Sequence, residues 1–190
     1  MRRWWLAVLP LLLGAADYPP PETMHQTGAA QWFDGLVLQD QDGQRVNLYT
    51  DLMAGKVVVI NAFFASCRSA CPQVMGTMAQ LQARLTINGI PANFISMTVD
   101  PEHDTPEVLG PYARSLGAEA GWYMLSGEPA MVRRALGRFG LNVDSKDPND
   151  HLNVLYMANL RTGLWKKVFS LAPIEDLERI LQEIENDRGP

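Results

Sequence analysis

Cysteine is scarce in this 190-residue chain. There are two, Cys67 and Cys71, too few for the disulfide scaffolds that small secreted domains use. Histidine is nearly as rare, limited to His25, His103 and His151. Positive charge is short as well: 16 Lys and Arg stand against 21 Asp and Glu, a formal −5 that falls to −7 when Arg2 and Arg3 are removed. With no basic stripe to meet phosphates, nucleic acid is excluded as a partner. No long apolar run exists either. The most apolar stretch, Trp4 to Ala16, has 13 residues and is interrupted by Pro10, whereas a bilayer-spanning helix needs about 20. Internal repeats and a second domain are also missing.

The start of the chain has two arginines, then the short apolar run, then small residues ending at Gly14-Ala-Ala16. That is the layout of a secretory signal peptide cleaved after Ala16, in preference to an uncleaved anchor. The expected organisation is therefore residues 1–16 as signal, 17–31 as a polar, proline-led lead-in, and 32–188 as one domain. Export places that domain in the periplasm or an equivalent extracytoplasmic space. There, two closely spaced cysteines are available for redox work or for metal.

Patterning gives the elements. Strand-like pieces flank Asp42-Gly43 within Leu36–Leu48, a hairpin signal. Val57-Val-Val-Ile-Asn-Ala-Phe-Phe64 is apolar on both faces and reads as a central strand. Val74, Met78, Leu81 and Leu85 recur on one helical face. A strand is predicted at Asn93–Val99, then a helix opened by Asp104 with Glu107 as its capping partner and running to Leu116. Trp122–Leu125 reads as a strand and Glu128–Gly137 as a helix. Strands at Asn153–Leu160 and Leu164–Phe169 turn at Arg161-Thr-Gly163, and Ile174–Ile184 forms the last helix. Alternating β and α units imply parallel strands. The closing antiparallel pair and helix suggest an α/β, thioredoxin-like fold: a mixed central sheet, helices on both faces and an N-terminal β-hairpin.

Pro72 follows Cys71, and proline is favoured in the first turn of a helix. Cys71 is thus predicted at a helix N-terminus and Cys67 in the turn after a buried strand. Unpaired backbone N–H groups and the helix dipole there favour thiolates, and Arg68 pushes the same way. A Cys-x-x-x-Cys spacing leaves room for a cation between the sulfurs without forbidding a disulfide. Soft thiolates select Cu(I) or zinc; with only two cysteines a third ligand must come from elsewhere, and imidazole is the natural partner. Metal binding, thiol–disulfide exchange and a structural bridge all remain open on these residues, although a bridge closing so small a loop stabilises little. His25 lies in the lead-in, and His103 in the acidic turn Asp100-Pro-Glu-His-Asp104. His151 differs, standing after the polar loop Asn142–Asp150 at the start of a strand, where this fold meets the cysteine helix. Met75 and Met78 fall on or beside the apolar stripe and read as core. Trp32, Trp122 and Trp165 carry no site signal.

Together these pieces resemble the Sco/SenC family of copper proteins that serve cytochrome c oxidase assembly. The resemblance spans about Leu36 to Ile184. It rests on Val57–Phe64 running into Cys67-x-x-x-Cys71-Pro72, on Thr98-Val-Asp-Pro-Glu-His-Asp-Thr-Pro106, and on Asp150-His151 before a strand. It implies copper held by Cys67, Cys71 and His151: Cu(I) in a three-coordinate site, and Cu(II) with a weak fourth ligand. Asp144, Asp147 and Asp150 are candidates for that ligand, a solvated acidic loop being the simpler account. The implied role is a carrier, needing no turnover chemistry. It delivers copper to the binuclear site of an oxidase subunit or to another exported copper protein, after loading by an upstream donor. The alternative is a thiol–disulfide oxidoreductase that reduces that partner's cysteines through Cys67 and Cys71. Members often carry an acidic or proline residue between the cysteines; this chain has Arg68-Ser-Ala70.

Overall fold

The computed structural model describes residues 28–69, 71–141 and 153–189. The signal segment, His25, and the loop with Asp144, Asp147, Asp150 and His151 lie outside the described residues. Residues 28–31 of the expected lead-in are helical, together with Trp32. Ala29, Ala30 and Phe33 pack on the core, an apolar pattern too short to show periodicity.

A two-stranded hairpin follows, β1 (Val37–Gln39) and β2 (Arg45–Asn47), antiparallel as expected. Asp40 sets the turn: its Oδ1 accepts the backbone N–H of Asp42 at 3.0 Å and of Gln44 at 2.9 Å. The hairpin forms its own small sheet, joined to the main one by reciprocal backbone bonds between Gln39 and Ser126. A π-helical turn, Leu48–Met53, then intervenes, capped by Asn47, whose Oδ1 accepts from Tyr49 and Thr50. No sequence periodicity marks this element, because the turn is short and its signal is a single side-chain cap.

The main sheet has five strands in the order β5-β4-β3-β6-β7. These are β3 (Val57–Phe63), β4 (Asn93–Thr98), β5 (Trp122–Leu125), β6 (Val154–Asn159) and β7 (Leu164–Phe169). β3, β4 and β5 run parallel, while β6 pairs antiparallel with β3 and with β7. Every residue of β3 is buried. Its side chains alternate between two cores, as a period of two requires: Val58, Ile60 and Ala62 on one face, Val57, Val59 and Phe63 on the other.

Four helices cover these faces: α1 (Cys71–Ile87), α2 (Pro106–Leu116), α3 (Pro129–Arg138) and α4 (Ile174–Asn186). α1, α2 and α4 lie over the Phe63 face, and α3, the π turn and the hairpin over the Ile60 face. The thioredoxin-like expectation is met. One detail is corrected. Thr105, not Asp104, is the N-cap of α2, with Pro106 in the first turn and the Thr105 side chain bonded to the Glu107 carboxylate. Asp104 is displaced from the cap because it is buried against the neighbouring loop. At Gly110, a Cβ would meet the Gln41 carbonyl oxygen at 3.1 Å, so glycine lets the hairpin turn close on α2.

Candidate metal and redox site

The cysteines sit where β3 ends and α1 begins. Buried β-branched residues carry the chain to Phe63, and a tight turn follows in which the Cys67 N–H donates to the Phe64 carbonyl at 3.2 Å. Cys71 is the first residue of α1 and Pro72 the second, a position where proline forfeits no helical bond. Both thiols are free and buried, Cys67 at 8% exposure and Cys71 at 1%. Cys67 also approaches the Ser69 hydroxyl, 3.6 Å from sulfur to oxygen.

The two thiols are not equivalent. Burial alone would raise Cys67, but hydrogen bonds from the Cys71 thiol, from the Ser69 backbone and hydroxyl, and from the Cys71 backbone outweigh it. The Cys67 pKa therefore lies below the ordinary thiol value. Burial pushes Cys71 the other way, to about 12, helped by its hydrogen bond and charge repulsion with Cys67 and opposed by the Phe64 N–H. The expectation that the helix start favours both thiolates is therefore corrected. A single negative charge suits the site, and the more exposed sulfur carries it. Arg68, expected to assist, is exposed; the lowering at Cys67 comes from the hydrogen bonds.

Asp104 braces this loop from the side. It is 1% exposed, and its Oδ2 accepts the Ala65 N–H at 3.0 Å and the Thr98 hydroxyl at 2.5 Å. Burial raises its pKa against those two bonds. Tyr112 of α2 stacks on Phe63, ring centroids 5.8 Å apart. Its hydroxyl is pushed up to about 12, first by burial and then by negative charge at Cys71, Cys67 and Asp104. Neither role was read from the sequence. The available signal for Tyr112 was its place beside Leu109, Ala113 and Leu116 on one face of α2.

His103 is exposed and pairs with Asp100, Nδ1 to Oδ1 at 2.8 Å. Met75 and Met78 are fully buried in the core, as expected. Among the described residues no group of three His, Cys, Asp or Glu side chains could hold a metal ion. The cysteine pair supplies two soft donors, chemistry that suits Cu(I).

A central parallel strand delivering a dithiol to a helix N-terminus, with an antiparallel pair closing the sheet, defines a thioredoxin-like protein. Within that class the chain belongs to the SCO1/SenC family, whose model matches residues 25–186. It is 35% identical to the SCO1 protein homolog of Bacillus subtilis (strain 168) over 78 residues, 41% of this chain and 39% of that one. The match thus spans well under two thirds of that relative. BsSco, a Sco family cytochrome c oxidase assembly protein in which a disulfide switch has been identified, superposes with a TM-score of 0.65 at 26% identity. The superposition covers 78% of this chain and 90% of BsSco. Bradyrhizobium japonicum ScoI with copper bound shares the fold, with a TM-score of 0.64 at 24% identity over 78% of this chain and 96% of that one.

Proposed function

We propose that the protein is an exported copper carrier. It would hold the ion between Cys67, Cys71 and His151, receive it from an upstream donor, and deliver it to the binuclear copper site of cytochrome c oxidase or to another exported copper protein. The observation that carries this reading is the pair of buried, mutually hydrogen-bonded thiols at the start of α1. Family membership and copper in the ScoI relative support it. Cys67 offers a thiolate to the incoming ion. Cys71 keeps its proton until the metal displaces it, so loading releases a proton. The leader would direct export; among the described residues no helix is long and apolar enough to cross a membrane.

The test is copper titration of the reduced mature chain. Wild type takes up one tight copper, and His151→Ala loses most of that affinity. Retention of full affinity by His151→Ala would remove the histidine from the site.

The inequality of the thiols favours a second reading, thiol–disulfide exchange, which the disulfide switch of BsSco also supports. Here the Cys67 thiolate attacks one sulfur of a partner disulfide, forming a mixed disulfide and freeing the first partner thiolate. Cys71 then gives up its proton and attacks the Cys67 sulfur, closing the Cys67–Cys71 disulfide and freeing the second. The partner gains the two electrons that the pair loses; of the two protons it takes up, one comes from Cys71 and the other from solvent. Exchange survives His151→Ala, whereas copper delivery does not.

A further inference from the structure

On the Ile60 side of the sheet, β6, β7 and the helical segment 28–32 enclose an open groove of about 630 Å³, with neither cysteine in its lining. Its floor is aromatic. Phe33 stacks on Phe139 at 5.1 Å and on Trp165 at 6.2 Å, and Phe139 meets Tyr156 at 6.1 Å. Trp32 and Trp165 keep 52% and 36% of their surface in solvent, a large aromatic exposure for so small a fold.

The rim is basic, against the sign of the whole chain. The Arg138 guanidinium lies 4.6 Å from the Trp32 ring centre, and the Lys167 ammonium 5.6 Å from that of Tyr156. Among the described residues neither cation has a carboxylate partner, whereas Lys166 beside them in the same lining pairs with Glu183. Arg138 Nε is buried with no hydrogen-bond partner. In a chain with 21 acidic residues, two cations left on ring faces are two charges left for something else to meet.

The third feature is backbone. β7 ends the sheet order, so its outer edge is unpaired among the described residues. Trp165, Lys167 and Phe169 are its exposed positions, alternating along one face. An open strand edge is a template for an extended chain, with pockets beside it reading alternate side chains.

We propose that this groove docks an extended, acidic, aromatic-bearing peptide segment of a partner protein. Its aromatic side chains lie on the Phe33, Phe139 and Trp165 rings, its carboxylates meet Arg138 and Lys167, and its backbone pairs with the β7 edge. A polyphosphate has neither rings to lie on the aromatic floor nor a backbone to pair with the β7 edge, so a protein segment is the occupant.

The experiment follows the indole N–H signals of Trp32 and Trp165 by NMR in the full mature chain. The probe is a synthetic peptide of alternating glutamate and tyrosine; the control replaces glutamate by lysine. Both indoles are expected to shift with the acidic peptide, and Lys167→Glu should weaken binding about tenfold. Lys167 is exposed, so the fold survives the change; Arg138→Gln is the second variant. Equal binding of the lysine peptide, unmoved indoles, or unaltered affinity in both variants overturns the proposal. So does a third result, in which iodide reaches Trp32 and Trp165 only after Tyr18→Ala. The groove would then be capped by the chain's own Tyr18-Pro-Pro-Pro21.

Discussion

Asp104 reaches across from the start of α2 and binds the backbone of Ala65, two residues before Cys67, with one carboxylate oxygen 3.0 Å from the amide nitrogen. The same oxygen takes the Thr98 hydroxyl. Asparagine supplies one carbonyl oxygen with two lone pairs and can keep both bonds, whereas alanine keeps neither. Asp104→Ala is expected to cost about 1–3 kcal/mol, the penalty for stranding buried donors. Asp104→Asn should cost far less.

The same pair of variants fixes a pH dependence. Burial raises the Asp104 pKa in the folded state, so its protonated form is the one folding favours. Its contribution to stability is present in acid and is lost as pH climbs past the ordinary carboxylate range through the raised value. Subtracting the Asp104→Asn stability profile from that of wild type should reveal this slope. A flat difference would show that the carboxylate is not strained by burial.

Alkylation separates the thiols. In the reduced metal-free protein, iodoacetamide is expected to modify Cys67 with a rate midpoint below that of free cysteine. Cys71 should stay unmodified until pH approaches about 12. Peptide mapping by mass spectrometry reads both sites. Equal labelling, or Cys71 first, contradicts the assigned roles.

Met75 and Met78 test whether soft sulfur near the site matters. Both are buried, so Met78→Leu should cost less than about 1.5 kcal/mol and leave copper uptake unchanged. Met75→Leu should cost about 1 kcal/mol more, because Met75 Sδ accepts from Asn61 Nδ2 at 3.4 Å. Copper loss in either variant would make that sulfur a ligand.

Ser96 joins three strands. It donates to Asn61 Oδ1 at 2.6 Å and accepts from the Trp122 indole at 2.9 Å, all buried. Ser96→Ala leaves the indole N–H unpaired and should lower stability by about 1–3 kcal/mol, seen as a shift in urea midpoint with the near-ultraviolet spectrum retained.

The thioredoxin-like order was legible because its elements carry strong, separate signals. β3 is a fully apolar run, α1 has a clean apolar stripe after Pro72, and the hairpin has Asp42-Gly43. The placement of Cys71 at a helix start and of Cys67 in the turn after a buried strand was legible from Pro72 and the apolar run before it. What escaped depends on contacts between distant residues. Asp104 looks like a helix cap in sequence, since Glu107 lies three residues on, but the Ala65 amide claims it. The unequal thiols escaped too, because both share the helix terminus and differ only in burial and in which neighbour donates to which sulfur. The basic aromatic groove is assembled from residues 32, 138, 156 and 167, a combination no local pattern encodes.

β3 is hydrogen-bonded on both sides, to β4 and to β6, and the thiol turn springs directly from its end. Amides of such a strand exchange with solvent only when the whole molecule opens. Anything that enters or leaves the dithiol therefore does so by rearranging a few residues beyond Phe63, on a frame that stays shut. The thiol turn can open and close many times without the protein approaching the unfolded state.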